Sequence, residues 1–284
     1  MADLPSGARL FARYAYAPNH LGYCGPADTA ALFELAATGH TTADVAGIAS
    51  RFTGAWLYLC VLAELTGISD PLDARLVRAY WTGSSLLDGV DQARFGRMLL
   101  DRIGKAGARR YWAHLTAALL PEVSATHGFH VFGVYPWSRL LLAPAPGAPG
   151  SHGDPAGPAA AALDVLDNCR IRWGRVMDAR DDAATVRTRR LTWDGQALRL
   201  GEDIAEEVRL TRDGAAFVSG VKVGDWLAVH WNWACDRLAA DELWHLRALT
   251  DWQLDVTNGR LAREAAAAGS SATAGSGSGG REQH

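Results

Sequence analysis

The sequence predicts an α+β chain: a mostly α-helical N-terminal domain, followed by a small β-barrel with a C-terminal helix. Three observations lead there. The first half carries apolar residues at helical spacing between capping and glycine signals. A Pro/Gly/Ala run, APAPGAPGSHGDPAGPAA, interrupts the pattern at 143–160. Beyond it, short runs of strand character alternate with turns such as Asp194-Gly195 and Asp213-Gly214. The boundaries that follow are a helical domain at 1–142, a linker at 143–160, a barrel domain at 161–260 and a disordered low-complexity tail at 261–284.

In the helical half, Ala8 to Asp28 mixes aromatic residues with Pro18, Asn19, Gly22, Gly25 and Pro26, which suits a packed, ordered loop. Asp28 then caps a helix that ends near Gly39, and Thr41 or Thr42 caps a second that ends near Gly54. The stretch from Ala55 to Leu65 is apolar nearly all round and belongs in a core. Asp70-Pro71 reads as a helix start, with an N-cap followed by proline at the first helical position. Asp91 to Lys105 presents Phe95, Met98, Leu99 and Ile103 on one face, and helical spacing resumes from Ala108 to Leu120. The aromatic run from Thr126 to Trp137 is either extended or a buried, irregular helix start.

In the second half a short helix from Ala161 leads into Cys169. Five strands are expected at Cys169–Asp178, Ala184–Arg190, Gln196–Leu200, Ala205–Leu210 and Trp226–Trp231, which fits an OB-like barrel. A helix from Asp241 to about Asn258 lies along its side. Seven of the eleven tryptophans fall at or after Trp173, and large rings of this kind can fill or flank a small barrel.

Composition excludes several classes. The chain of 284 residues has a formal charge of −3, so it carries no basic footprint for nucleic acid and no polybasic membrane patch. The amino terminus lacks a signal-peptide pattern and no apolar run spans a bilayer, so the expected location is the cytoplasm, with free thiols. The four cysteines, Cys24, Cys60, Cys169 and Cys235, form no C-x-x-C pair. No P-loop, G-x-G-x-x-G, H-E-x-x-H or G-x-S-x-G is present.

Two groups of residues carry candidate chemistry. Cys169 opens a strand and His230 ends one, and a thiolate with an imidazole suits iron or nickel. Arg170 and Arg172 fall on the other face of an extended strand from Cys169. His127 and His130, with Cys24 as a distant partner, form a second candidate metal site; three residues apart on a helix, the histidines would share a face. Cys60 reads as core. Trp231 and Trp233 alternate, so one is expected inside and one exposed as an interface residue.

The segment Gly224-Asp-Trp-Leu-Ala-Val-His230-Trp-Asn-Trp-Ala234 resembles the closing segment of the HypC/HupF family, small chaperones of [NiFe]-hydrogenase maturation. Cys169, Gly174, Arg175 and Val176 fall on the positions of that family's opening Cys-x-x-x-x-Gly-Arg-Val pattern, although Cys169 is internal here. The resemblance spans about residues 167–252. It implies an accessory protein or chaperone that binds the hydrogenase large-subunit precursor, or a HypD-like iron scaffold, through Cys169, His230, Trp231 and Trp233. Cys169 and His230 would then bind iron transiently, with no catalytic residue. FARYAY, GYCGP and FHVFGVYPW in the helical half resemble an uncharacterised actinobacterial family, which implies no activity. The competing expectation is an enzyme with its site around Cys24, His127 and His130.

Overall fold

The computed structural model describes residues 6–27, 29–106, 112–143 and 157–275, and it is α+β, with helices first, a five-stranded sheet next and a long helix last. The chain opens with helix α1 (Gly7–His20), whose N-cap Ser6 accepts a hydrogen bond from the Arg9 amide at 3.3 Å. This corrects the loop expected from residue 8 onward. The aromatic residues of FARYAY are buried around the helix, and the turn chemistry begins only at its end. Gly7 is obligatory, because a Cβ there would lie 1.7 Å from the Leu72 carbonyl oxygen. The expected cap Asp28 lies outside the described residues.

Helices α2 (Thr29–Thr38), α3 (Val45–Ser50), α4 (Thr53–Thr66), α5 (Ala74–Thr82) and α6 (Gln92–Ala106) complete the first layer. Asp44 caps α3, accepting from the Gly47 amide at 2.9 Å, and takes the place expected for Thr41 or Thr42. Helix α5 starts at Ala74 rather than Pro71. Asp70 spends its carboxylate on a turn, accepting from the Leu72 amide at 2.9 Å, and Asp73 is the actual cap, at 2.8 Å from the Arg75 amide. Between 112 and 122 the expected helix is reduced to two 3-10 segments, Trp112–His114 and Ala117–Glu122, the second containing Pro121.

The aromatic run at 126–137 is a buried, irregular helix start. One turn, α7 (His127–Phe129), widens at once into a π-helical turn at His130–Val134, and α8 (Trp137–Leu140) follows. The loosened carbonyls find side-chain donors: Phe132 O accepts from Ser138 Oγ at 2.7 Å and from Arg260 at 2.8 Å. Arg260 also pairs with buried Glu122 at 2.9 Å, clamping this segment under the last helix.

Helix α9 (Gly157–Cys169) begins four residues inside the expected linker, of which 144–156 lies outside the described residues. Cys169 closes this helix rather than opening a strand. The sheet comprises β1 (Arg172–Ala179), β2 (Ala183–Trp193), β3 (Leu198–Arg209), β6 (Trp226–His230) and β7 (Trp233–Arg237), with a separate small hairpin of β4 (Thr211–Arg212) and β5 (Ala215–Ala216). The two strands expected at 196–210 are one strand that runs through Gly201, and the strand expected to end at Trp231 is followed by a further one, β7. In the order β1-β2-β3-β7-β6 the sheet closes on itself, antiparallel except for one parallel pairing of Arg209 with Trp233. Gly174 permits the close β1–β2 approach: a Cβ would meet Val186 Cγ2 at 2.6 Å.

Helix α10 (Ala240–Gly275) overruns both the expected stop near Asn258 and the start of the expected disordered tail. Leu254, Arg260 and Leu261 are buried, and the Ala-Arg-Glu-Ala composition beyond them is strongly helix-forming. No described helix is long and apolar enough to cross a membrane. One continuous core joins helices and sheet. Its polar rivet is Asp236 on β7, which pairs with Arg13 of α1 at 3.2 Å and Arg78 of α5 at 3.4 Å.

Candidate functional site

The two candidate groups meet. Cys24, His127, His130, Cys169 and His230 all line one cavity of about 90 Å³ between the helices and the sheet. It reaches the surface beside the exposed residues Tyr23 and Gly25. Phe52, Trp81 and Trp137 give it aromatic walls, and among the described residues no lysine, arginine or carboxylate lines it.

His230 is placed by strand β6 and by a proline in α1. Pro18 has no N–H, so it cannot make the helical bond back to the carbonyl of Tyr14, four residues earlier. His230 Nδ1 occupies that carbonyl instead, at 2.7 Å. A carbonyl only accepts, so Nδ1 carries the proton and Nε2 holds the lone pair. Nε2 is buried and has no hydrogen-bond partner among the described residues. Burial lowers the His230 pKa to about 4, against the raising influence of the Tyr14 and Cys169 carbonyls. The ring is a neutral imidazole, with the Cys169 carbonyl close enough to act on it.

His127 is tied off at both nitrogens. Nε2 is 2.9 Å from the Cys169 carbonyl and must donate to it; Nδ1 then accepts from the Tyr80 hydroxyl at 3.1 Å. Burial, with His230 and His130 nearby, lowers its pKa well below the usual histidine value. His127 thus ties Tyr80 to the end of α9 that carries Cys169. His130 sits on the π-helical turn with its ring 4.4 Å from that of Tyr135, and burial alone lowers its pKa to about 3. Gly54 leaves room for it: a Cβ there would lie 2.6 Å from His130 Nε2.

Cys169 is held at the helix–sheet junction, where the Trp231 amide donates to the Asn168 carbonyl at 2.9 Å. Burial pushes its thiol pKa up, the nearby Cys24 pushes it further, and the Trp231 side chain acts in the opposite direction. The neighbouring arginines do not activate it. Arg170 pairs with Asp167 at 2.9 Å and Arg172 with Glu206 at 2.6 Å. Cys24 keeps partial residue exposure, but its thiol is desolvated and its pKa is pushed up to about 12. Both sulfurs are therefore thiols at neutral pH, and a metal would have to displace the proton.

Among the described residues no three His, Cys, Asp or Glu side chains are grouped so as to hold a metal ion unaided. Cys169 and His230 supply at most two donors. Neither tryptophan is exposed: Trp231 packs against Tyr23 with centroids 4.1 Å apart and the rings tilted by 33°, and Trp233 packs between Tyr16, Phe33 and Phe217. Cys60 is half-buried on α4, away from the cavity. Sequence reasoning missed Tyr80 and the Tyr14 carbonyl. Pro18 inside an aromatic run was the signal for the latter.

Residues 3–264 match the model of a family described as a family of unknown function, DUF6390. No curated protein and no solved structure matches the chain.

Proposed function

The chain belongs to DUF6390, and from the cavity it builds we propose an accessory protein or chaperone of [NiFe]-hydrogenase maturation that handles iron as cargo through Cys169 and His230. The observation that carries this reading is the state of His230. A backbone carbonyl fixes Nδ1–H, and among the described residues Nε2 has no hydrogen-bond partner, in a cavity shared with the Cys169 thiol. A metal-binding imidazole is oriented in the same way by an acceptor behind it.

The closed five-stranded sheet with a helix packed beside it supports an OB-like, HypC-like reading of the second half. Two protein donors leave an iron ion coordinatively incomplete, which suits a cargo that arrives and leaves with other ligands. The remaining donors would come from a HypD-like scaffold or the large-subunit precursor. The mouth at Tyr23 and Gly25 is where such a partner would dock, because Cys169 and His230 are buried.

The test is an anaerobic pull-down of the tagged protein from a hydrogen-oxidising host, beside Cys169→Ala and His230→Gln. Partner and iron recovered with the wild type, with iron lost from both variants, support the proposal. Neither partner nor iron with the wild type overturns it.

A second reading, an enzyme of unknown reaction, is favoured by Cys24 and His130 lining the same cavity with aromatic walls. The reading predicts that Cys24→Ala abolishes turnover of a small neutral substrate while iron recovery is unchanged.

A further inference from the structure

A second cavity, about 440 Å³ and sharing no lining residue with the first, lies between the outer face of the sheet and α10. Its lining includes Arg175, Arg187, Arg189 and Arg247 against two carboxylates, Asp203 and Asp251. Asp203 is already engaged by Arg189 at 2.8 Å. Positive charge is thus in surplus here, in a chain whose formal charge is −3.

Two features make this more than a solvated basic face. Arg175 and Arg187 stand directly opposite each other in the β1–β2 pairing. Like charges in that relation destabilise a sheet. Neither arginine has a carboxylate partner among the described ion pairs, which leaves the repulsion uncompensated. Arg247 is also held in place, its guanidinium carbon 4.7 Å from the Trp226 ring centroid and 5.6 Å from that of Trp173. A guanidinium fixed over aromatic faces loses little freedom when it takes a ligand.

We propose that this groove is a binding site for a phosphate-bearing small molecule, held through Arg175, Arg187 and Arg247. The groove has the volume of a small ligand, which favours a metabolite over a nucleic-acid backbone. A phosphate dianion takes two arginine forks at once and removes the Arg175–Arg187 repulsion as it binds.

The experiment titrates inorganic phosphate into the full chain, followed by tryptophan fluorescence and by ³¹P line broadening, with chloride at matched ionic strength as the control. Saturable binding is expected, and Arg175→Gln or Arg187→Gln should weaken it about tenfold, roughly the loss of one charge-assisted hydrogen bond. Both arginines are exposed, so the variants should fold, which circular dichroism verifies. Melting supplies an independent readout: phosphate raises the melting temperature of the wild type more than that of Arg187→Gln. An equal response to chloride, equal affinity in the variants, or binding of a short single-stranded oligonucleotide that phosphate does not displace would each overturn the proposal.

Discussion

His230 Nδ1 lies 2.7 Å from the carbonyl oxygen of Tyr14, the carbonyl that Pro18 leaves without its helical partner. A histidine in the sheet is thus oriented by a proline 212 positions away in the first helix. The contact decides which imidazole nitrogen faces the cavity.

Pro18→Ala should therefore separate stability from site geometry. The new amide restores a donor for Tyr14 O and removes a helix-interior proline, a defect worth up to about 3 kcal/mol. The melting temperature is expected to rise. The same amide competes with His230, so the Nδ1 proton signal should exchange faster and shift in ¹⁵N-correlated spectra. A rise in stability with an unchanged His230 signal would show that Pro18 plays no part in orienting the ring.

The buried imidazoles make stability pH-dependent with a definite sign. His230 and His130 have folded-state pKa values lowered to about 4 and about 3, below the unfolded value near 6.5. Below that value the unfolded chain binds more protons than the folded one. Stability is complete above about pH 6.5 and falls as pH drops toward 4, by about 3 kcal/mol from His230 alone. Urea midpoints between pH 4.5 and 7.5 measure this, and His230→Gln should flatten the slope.

His127 bridges two buried groups, so its removal should cost more than removal of either bond. His127→Ala removes the bonds to the Cys169 carbonyl and the Tyr80 hydroxyl together, at about 0.5–1.5 kcal/mol each. Tyr80→Phe removes a single hydrogen bond and should cost about 1 kcal/mol. The order of the two, read by chemical denaturation, tests the bridge. Equal effects would mean that the bond to Cys169 contributes nothing.

The extent to which these features were legible in the sequence follows from the range of the interactions. Turn chemistry is local, and Asp213-Gly214 and Gly195 adopt the positive φ angles that their sequences suggest. The H-x-x-H spacing and the Cys169–His230 pair picked out residues that line one cavity, because histidine and cysteine are few in the chain. What spacing could not supply was their meeting, since His127 reaches the Cys169 carbonyl across 42 residues of sequence. The turn residues Gly22, Gly25 and Pro26 suggest a loop for the aromatic run, but they all lie beyond the end of α1. Strand β7 was missed because Trp231 and Asn232 carry no glycine to announce a hairpin.

That hairpin yields the last prediction. His230 pairs with Trp233, so Trp231 and Asn232 form a two-residue loop, with Trp231 at φ 57°. Left-handed backbone at the first loop position favours glycine and costs a bulky residue about 1–2 kcal/mol. The Trp231 ring offsets this by packing against Tyr23 and by burial, and its carbonyl accepts from Arg172. Two substitutions divide those terms. Trp231→Ala loses the ring and keeps the strain, whereas Trp231→Gly loses the ring and releases it. Trp231→Gly should therefore be the more stable of the two by about 1 kcal/mol, the reverse of the usual order in a strand or helix. Both should open the cavity mouth, where Tyr23 loses its packing partner, and so speed alkylation of Cys24 relative to the wild type. Denaturation midpoints and iodoacetamide rates on the three proteins decide it; an alanine variant at least as stable as the glycine variant would mean that the loop relaxes out of the left-handed region once the ring is gone.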